Sequence, residues 1–389
     1  MSMILILFER WPLRINRVEA THSLRESCMK PLFSPRNAAL ALAIAAAFGL
    51  TACQAPAKKA EAPTAAAQPA ASQVKQRELA FGLYEMAYAP GAKALYVASA
   101  DAFKDVSGGV IYRLDPATLE TTGKGYTDLK NFGMTMNDDG SLLYVTNTLD
   151  GGVSKIDPVK GKVLARTLFS ERNEKGSPFG AREIFLHDGQ LYIGGVGDPG
   201  VIWVVDAQTM KLKTRIKNAG KWVTGIIYSP VTDRIYAANG GGEILVINPR
   251  SHKIEKRLTA GDGKEYLLLN MAEDPATGRL FVTDNSKAKT TLVFDERTGK
   301  VIKRIDGDAL GIKFNAKRNE IYISQRESKK VLQLDATTYA VKNSWSFEGH
   351  PNSLLVTPDG QTLYVTVKQG FNKDHSSKGP DSVARIQLD

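Results

Sequence analysis

A tyrosine or phenylalanine inside a short β-type run recurs seven times in this chain of 389 residues. The seven positions are Tyr96, Tyr144, Tyr192, Tyr236, Phe281, Tyr322 and Tyr364, so that the successive steps are 48, 48, 44, 45, 41 and 42 residues. The runs around them are short and are separated by Gly-rich turns, as is Leu142-Leu143-Tyr144-Val145-Thr146, which favours strands over helical repeats. The chain therefore repeats one β-rich unit of about 45 residues.

Each unit contains a second marker, an apolar run that ends in Asp or Asn, at Asp115, Asp157, Asp206, Asn248, Asp295, Asp335 and Asp389. A turn sequence such as Thr357-Pro358-Asp359-Gly360 precedes each aromatic marker, and a further β-type segment follows the second marker in six units. Four short strands in such a period are typical of a propeller blade. We therefore predict an all-β fold, a seven-bladed β-propeller with four-stranded antiparallel blades, over residues 74–389.

The last unit reaches only its third strand at Asp389, whereas the β-type segment 74–83 belongs to no unit. A blade that lacks its fourth strand would expose an unpaired strand edge. The sequence thus predicts that residues 74–83 supply the outer strand of the last blade, so that an N-terminal strand closes the propeller.

The segment before the repeats has the features of a lipoprotein signal. Residues 38–50 form an apolar run that is too short to span a bilayer but fits a signal-peptide core, and Lys30 and Arg36 precede it. The run leads into Leu50-Thr51-Ala52-Cys53, which resembles the lipobox of bacterial lipoproteins. We expect residues 29–52 to be a lipoprotein signal peptide that ends before a lipidated Cys53. The alternative is a buried helix that ends in an ordinary cysteine.

Two further expectations follow for the N-terminal part. Residues 1–28 add three glutamates, which signal peptides avoid, and are interpreted as a misassigned upstream extension that contains the second cysteine, Cys28. Residues 53–73 are expected to be a tether, because 54–73 hold nine alanines and three prolines and offer nothing to pack. Gln54 stands where an Asp would indicate inner-membrane retention. We therefore expect an outer-membrane lipoprotein on the periplasmic face of a Gram-negative bacterium.

The repeat marker also identifies a resemblance. Tyr144-Val145-Thr146-Asn147 is the literal YVTN motif, and further matches lie at residues 84–88, 109–116, 201–206, 211–214 and 350–353. Over roughly residues 84–389 the chain closely resembles the YncE family of bacterial periplasmic YVTN-repeat propellers. The resemblance implies a seven-bladed propeller that binds DNA, best as single strands, and has no established enzymatic activity. The family has a plain secretory signal where this chain has a lipobox and a tether.

In a propeller the first residues of each innermost strand surround the mouth of the central channel. Here they form the pairs Tyr84-Glu85, Phe132-Gly133, Arg182-Glu183, Thr224-Gly225, Leu269-Asn270, Leu310-Gly311 and Asn352-Ser353. Three of the second positions are glycine, which we expect to leave the mouth open. Arg182 either pairs with Glu183 or Glu85, or keeps its guanidinium ready for a phosphate or carboxylate.

The loops between the second and third strands are basic in blades 5 to 7, in a chain whose net charge is +10. They hold Lys287, Lys289, Arg326, Lys329, Lys330, Lys368, Lys373 and Lys378, and the aromatic residues Phe132, Trp222 and Phe371 come near them. Single-stranded nucleic acid needs such a combination, because phosphates are neutralised while bases stack. The predicted nucleic-acid-binding residues are Arg182, Lys221, Trp222, Lys287, Lys289, Arg326, Lys330, His350, Asn352 and Lys368. The alternatives are a solvated loop surface, a Trp222 packed against a neighbouring blade and a His350 that stabilises a turn.

Catalytic patterns are sparse. The histidines after Cys53 have no metal-binding spacing, and no nucleophile elbow, phosphate loop or calcium loop occurs. We therefore expect no catalytic residue, no metal and no cofactor. The favoured function is a non-catalytic, monomeric binding protein for single-stranded DNA or another anionic polymer, attached to the membrane through Cys53. The alternatives are a cell-envelope scaffold with a protein partner and, less favoured, a propeller enzyme of the lactonase or quinone-dependent dehydrogenase type.

Overall fold

The computed structural model describes residues 73–101, 108–373 and 376–389. These residues form 28 strands in seven four-stranded antiparallel sheets, so the predicted seven-bladed β-propeller is confirmed. The expectations for residues 1–72, which include Cys53, lie outside the described residues. Within the described ranges, no helix has the length and the apolar character that a membrane span requires.

The strands of each blade follow one another from the channel outwards. The innermost strands of blades 1 to 7 are β2 (Leu83–Ala89), β6 (Asn131–Met136), β10 (Gly180–His187), β14 (Val223–Ser229), β18 (Leu268–Asp274), β22 (Ile312–Asn315) and β26 (His350–Val356). The second strands are β3 (Ala94–Ser99), β7 (Leu143–Asn147), β11 (Gln190–Val196), β15 (Arg234–Asn239), β19 (Arg279–Asp284), β23 (Glu320–Gln325) and β27 (Thr362–Lys368).

The outer half of each blade completes the sheet. The third strands are β4 (Gly109–Leu114), β8 (Gly152–Asp157), β12 (Val201–Asp206), β16 (Ile244–Ile247), β20 (Thr290–Asp295), β24 (Lys330–Asp335) and β28 (Asp381–Gln387). The outermost strands are β5 (Thr121–Thr127), β9 (Lys162–Leu168), β13 (Leu212–Ile216), β17 (Ile254–Leu258), β21 (Lys300–Asp306), β25 (Val341–Ser346) and, in blade 7, β1 (Val74–Ala80).

The seven innermost strands form a closed ring. Each contacts the innermost strand of both neighbouring blades, and β26 of blade 7 contacts β2 of blade 1. Such a ring surrounds a central channel. We call the end of the channel at which the innermost strands begin the channel mouth.

The aromatic markers lie in the second strands and join neighbouring blades. The ring of Tyr144 is buried, and its hydroxyl donates a hydrogen bond of 3.0 Å to the carbonyl oxygen of Ala207 in the next blade. Tyr364 of blade 7 does the same to Pro116 of blade 1 at 2.7 Å. A buried tyrosine needs such a partner for its polar end, while its ring fills the interface between two blades. All seven marker rings are buried, so the requirement that the seven positions share is the apolar packing of the ring.

Strand β1 closes the propeller as predicted. It pairs antiparallel with β28 from Val74 opposite Ile386 to Ala80 opposite Asp381. The strand ends at Ala80, however, and Leu83 already begins β2 of blade 1. The segment predicted as one strand is therefore divided by a bend. Gly82 adopts a φ of +65° in this bend, because the chain must turn from the rim of blade 7 to the channel.

Candidate functional site

The residues predicted to surround the channel mouth lie on irregularities of the innermost strands. In six of these strands the pairing register shifts between Leu83 and Met86, Asn131 and Met134, Ala181 and Ile184, Val223 and Gly225, Leu268 and Met271, and Pro351 and Leu354. A β-bulge redirects side chains that would otherwise alternate between the two faces of a sheet, and bulges are common at binding sites. The bulge in β10 allows the consecutive residues Arg182 and Glu183 both to belong to the mouth.

Hydroxyl groups of the second strands hold these bulges in place. Thr146 Oγ1 accepts a hydrogen bond from the amide of Gly133 in its own blade and donates one to the carbonyl oxygen of Arg182 in the next blade, each at 2.8 Å. The same arrangement recurs at Thr283, between Asn270 and Leu310, and at Ser324, between Gly311 and Asn352. Thr146 is the third residue of the YVTN motif. This role was not predicted from the sequence, although the recurrence of the hydroxyl in the motif was its signal.

The glycines at the mouth do not leave it open. A Cβ atom on Gly133 would lie 2.2 Å from the carbonyl oxygen of Arg182, and one on Gly225 would lie 2.3 Å from that of Leu269. A Cβ atom on Gly311 would likewise lie 2.6 Å from the carbonyl oxygen of Asn352. These glycines are required because the bulge of the next blade occupies the space of a side chain.

Arg182 is fixed by two neighbouring blades. Its Nη1 donates a hydrogen bond to the carbonyl oxygen of Thr224 in blade 4, and its guanidinium carbon lies 5.7 Å from the ring centroid of Phe132 in blade 2. No carboxylate of the described residues lies within ion-pair distance of this guanidinium. Burial lowers the pKa of Arg182, and the charges of Glu183 and Glu85 oppose that shift. The geometry therefore favours a positioned guanidinium over an ion pair inside the protein.

An aromatic pair connects Arg182 to a second cation. The ring centroids of Tyr84 and Phe132 are 4.1 Å apart, and Lys368 Nζ lies 4.3 Å from the centroid of Tyr84. Phe132 is 8% exposed and is therefore covered where a stacking base was expected to contact it. The pair supports the two cations from within the protein.

Lys368 is a buried structural cation rather than a residue of an exposed loop. It ends β27, and its Nζ lies 2.6 Å from Asp381 Oδ2 and donates a hydrogen bond of 2.8 Å to the carbonyl oxygen of Leu83. Asp381 also accepts hydrogen bonds from the amides of Leu83 and Gln369. Burial lowers the pKa of Lys368, and Asp381 opposes this shift. This placement removes Lys368 from the exposed basic face on which it was expected.

Four residues form a hydrogen-bonded chain across blades 6, 7 and 1. Arg326 Nη1 donates to Asn352 Oδ1 at 2.9 Å, Asn352 Nδ2 donates to Ser353 Oγ at 2.9 Å, and Ser353 Oγ donates to Glu85 Oε1 at 2.6 Å. His350 Nδ1 donates to the carbonyl oxygen of Arg326 at 2.9 Å, which agrees with a role in stabilising the turn. Burial is the main cause that lowers the pKa of Arg326 to about 10.

Glu183 follows Arg182 on the same bulge. Burial and the charge of Glu85 raise the pKa of Glu183 to about 7, while Arg182 and Lys313 oppose the shift. No described residue donates a hydrogen bond to its carboxyl group. In the described part of the chain, no three His, Cys, Asp or Glu side chains come close enough together to hold a metal ion. The mouth thus contains a fixed arginine beside a carboxyl group that titrates near neutral pH.

The predicted loop lysines differ in their surroundings. Lys287 is exposed in the loop between β19 and β20, and Lys330 is exposed at the start of β24. Neither has a carboxylate of the described residues within ion-pair distance. Lys289 forms an ion pair with Glu327 of the next blade, which raises the pKa of Lys289. Of the loop lysines predicted to bind nucleic acid, Lys287 and Lys330 therefore remain exposed without an ion pair among the described residues.

Trp222 is held beside the mouth in an unusual conformation. Its φ of 54° is left-handed, which is rare for a bulky residue. Lys221 is exposed, and its Nζ lies 4.4 Å from the ring centroid of Trp222. A Cβ atom on Gly240 would lie 3.1 Å from the ring, so the partly buried indole packs closely against that loop. One part of the indole is packed, as in the alternative, and another part remains accessible.

Comparisons with known proteins place the chain among bacterial relatives. No protein-family model matches it. YncE of Salmonella typhimurium is 39% identical over 325 residues, which cover 82% of this chain and 92% of that protein, and YncE of Escherichia coli K12 has the same identity and coverage. Antigen Lp49 of Leptospira interrogans is 25% identical over 257 residues, which cover 62% of this chain and 53% of that protein.

A solved structure supports the architecture independently. The β-propeller domain of Cps50 (Swd1) from Myceliophteria thermophila matches with a TM-score of 0.61 at 11% identity, and the match covers 81% of this chain and 100% of that domain. At this identity the likeness concerns the fold alone.

Proposed function

Because this chain belongs to the YncE family, we propose that it is a non-catalytic binding protein that takes an anionic polymer across its channel mouth, with single-stranded DNA as the candidate ligand. The observation that carries the proposal is Arg182, whose guanidinium is positioned by Thr224 and has no carboxylate of the described residues within ion-pair distance. Arginine in such a position binds phosphate through charge-assisted hydrogen bonds. The exposed lysines Lys287 and Lys330 extend the positive charge outwards, where successive phosphates of a strand would follow.

Trp222 supplies the stacking group in this proposal. Thr224, two residues further along the chain, accepts the hydrogen bond from Arg182, so Trp222 belongs to the segment that positions the guanidinium. Bases stack on aromatic rings with little dependence on sequence. The proposed interface therefore has a phosphate contact at Arg182 and a base contact at Trp222.

Periplasmic exposure through a lipid on Cys53 is the second part of the proposal. Strand β1 runs from Val74, opposite Ile386, to Ala80, opposite Asp381, and Asp381 contacts Leu83 at the mouth. Val74 therefore lies at the end of blade 7 away from the mouth. An anchor before Val74 would leave the mouth accessible from the periplasm. Labelling with a fatty-acid analogue should mark the wild type and not Cys53→Ser, and equal labelling of both would contradict the anchor.

The binding proposal is tested by the salt dependence of affinity for a labelled oligothymidylate. Lys287→Gln combined with Lys330→Gln should weaken binding and reduce the slope of log K against log salt by about 1.4, at about 0.7 for each phosphate contact. The matched control is Lys75→Gln combined with Lys256→Gln, which removes the same charge from exposed positions of β1 and β17. If both double variants behave alike, the mouth is not the site.

Two single variants separate the phosphate contact from the base contact. Arg182→Gln should cost about 1.5–3 kcal/mol of binding free energy, which is the range for hydrogen bonds to charged groups. Trp222→Ala should cost about 1–3 kcal/mol without changing the salt slope. The melting temperature of each variant is measured alongside. A Trp222→Ala protein that loses stability but binds normally would make the indole a packing residue.

A second candidate function is a scaffold for an envelope protein, and one feature of the rim favours it. Tyr126, Val159, Leu164 and Leu168 on the outer parts of blades 1 and 2 are between 50% and 75% exposed. Exposed apolar residues that lie together mark protein contacts. Leu164→Ser combined with Leu168→Ser should abolish cross-linking to a partner in intact cells if the scaffold function holds. The same variant should bind oligothymidylate as the wild type does.

A further inference from the structure

The charged groups around Glu183 come from three elements of the channel. Arg182 precedes it on β10, Glu85 approaches from β2, and Lys313 approaches from β22. The phenol of Tyr84 on β2 interacts with Arg182. Strand β10 is flanked by β6 and β14. At the mouth β6 contributes Phe132-Gly133 and β14 contributes Thr224-Gly225, and none of these four residues has a titratable side chain. The state of Glu183 therefore depends on two positive groups and one further carboxyl group.

The two carboxyl groups of the mouth are held differently. Glu85 accepts a hydrogen bond of 2.6 Å from Ser353. The carboxyl group of Glu183 accepts none from the described residues, and its pKa is raised to about 7 by burial and by the charge of Glu85. The pKa of Glu183 therefore lies near neutral pH.

An anion that reaches Arg182 necessarily comes close to Glu183, because the two residues are consecutive on one bulge. A carboxylate beside the guanidinium cancels part of its positive field and repels the ligand. A neutral carboxyl group does neither. The repulsion also acts in the other direction: a bound anion opposes the ionisation of Glu183 and raises its pKa further.

We propose that the mouth binds an anion and a proton together: an anionic group docks on Arg182 while the carboxylate of Glu183 takes up one proton from the solvent. The inference rests on the proposed function, since it specifies how that same site is regulated. No covalent bond forms with the ligand. The affinity of the mouth for an anionic polymer therefore increases as the pH falls.

The expected size of the effect follows from the range over which Glu183 titrates. With half-protonation near pH 7, the protonated fraction is about 0.9 at pH 6 and about 0.1 at pH 8, so that binding through the protonated form makes Kd about tenfold larger at pH 8. His350 also lies at the mouth, next to Arg326. A variant of His350 therefore serves as the control for Glu183 in the experiment.

The experiment measures oligothymidylate binding to the mature protein at pH 6 and pH 8 at constant ionic strength. The wild type should show the roughly tenfold difference in Kd. Glu183→Gln should bind with nearly equal Kd at both values, close to the wild type at pH 6, because its amide is neutral throughout. His350→Gln is the matched control and should keep the difference. Loss of the difference in His350→Gln and its persistence in Glu183→Gln would overturn the inference.

A measurement on the wild type alone keeps the test independent of the variants. Calorimetric titration at pH 7 in two buffers of different ionisation enthalpy counts the protons that are taken up on binding. About half a proton per bound ligand is expected, because half of Glu183 is already protonated in the free protein. Binding without proton uptake overturns the inference and leaves the proposed function intact. If the wild type does not bind at either pH, both are overturned.

Discussion

Thr146 in blade 2 donates a hydrogen bond of 2.8 Å to the carbonyl oxygen of Arg182 in blade 3. A residue of the repeated motif thereby fixes the backbone that carries the candidate anion-binding side chain. The same hydroxyl accepts the amide of Gly133, so one threonine joins two bulges. The same hydrogen bonds of Thr146 consequently join blades 2 and 3 and fix the backbone of the mouth.

Thr146→Val should remove both hydrogen bonds while it preserves the shape of the side chain. The amide of Gly133 and the carbonyl group of Arg182 would then lose a buried partner, and the free energy of unfolding should fall by about 1–3 kcal/mol. Oligothymidylate affinity should fall as well, because Arg182 loses its support. Thr283→Val is the control in blade 5. It should lower stability in chemical denaturation to a similar extent and leave affinity unchanged.

Lys368→Gln should affect stability and not binding. The substitution leaves Asp381 buried without its cation, and breaking a buried ion pair from one side costs about 3–5 kcal/mol. The denaturation midpoint should drop, while the folded protein binds oligothymidylate with the wild-type salt slope. A reduced slope of log K against log salt would instead show that Lys368 contacts the ligand. Lys368→Met combined with Asp381→Asn should recover part of the lost stability.

Glu327→Gln should tighten binding. Glu327 forms an ion pair with Lys289, and the amide of Gln releases the lysine for a phosphate. The slope of log K against log salt should then become steeper by about 0.7. The comparison is Glu120→Gln, which removes an equally exposed carboxylate on the turn before β5. Equal slopes for wild type and Glu327→Gln would show that Lys289 does not contact the ligand.

The stability of the interface between blades 4 and 5 should depend on pH. Ser229 Oγ lies 2.7 Å from both Glu273 Oε1 and Glu296 Oε2. The hydroxyl group can donate a hydrogen bond to only one of these two oxygens. Both contacts are hydrogen bonds only when one of the two carboxyl groups is protonated and donates to Ser229. Burial raises the pKa of Glu273 to about 7 and also raises that of Glu296. Because the pKa is raised in the folded state, the stability contributed by the pair is present below the ordinary glutamate pKa of 4.5 and is lost as the pH rises through about 7.

The expected loss from this pair is about 1–3 kcal/mol between pH 5 and pH 8. Urea denaturation of the wild type and of Glu273→Gln at several pH values measures it. The wild type should lose more stability than the variant over this range. Parallel curves for the two proteins would contradict protonation of the pair.

Removal of residues 74–80 should open blade 7. These residues form β1, whose pairing with β28 joins the rim of the last blade to the chain that enters blade 1. The deletion exposes the edge of β28 and should lower the melting temperature. Deletion of residues 54–72 is the control and should have no effect, since it spares Gln73, whose side chain donates to Asp389. Identical melting curves would contradict closure by β1.

The number of blades, their four strands and the strand that closes the ring were all predicted from the sequence. Alternation of apolar residues, turn-forming residues and a constant period are local properties, and local properties suffice to define a repeated strand unit. The pairs at the mouth, such as Arg182-Glu183, were also predicted, because every innermost strand begins at the same point of its unit.

The tertiary structure decided which charged residues remain available to a ligand. Lys289 meets Glu327, which lies 38 residues away in the sequence, and Lys368 meets Asp381 across the sheet of blade 7. Lys287 stands only two residues before Lys289 in the same loop, yet it has no carboxylate of the described residues within ion-pair distance. The physical reason is that an ion pair requires two side chains within a few ångströms, and these distances arise only when separate strands and blades pack into one ring.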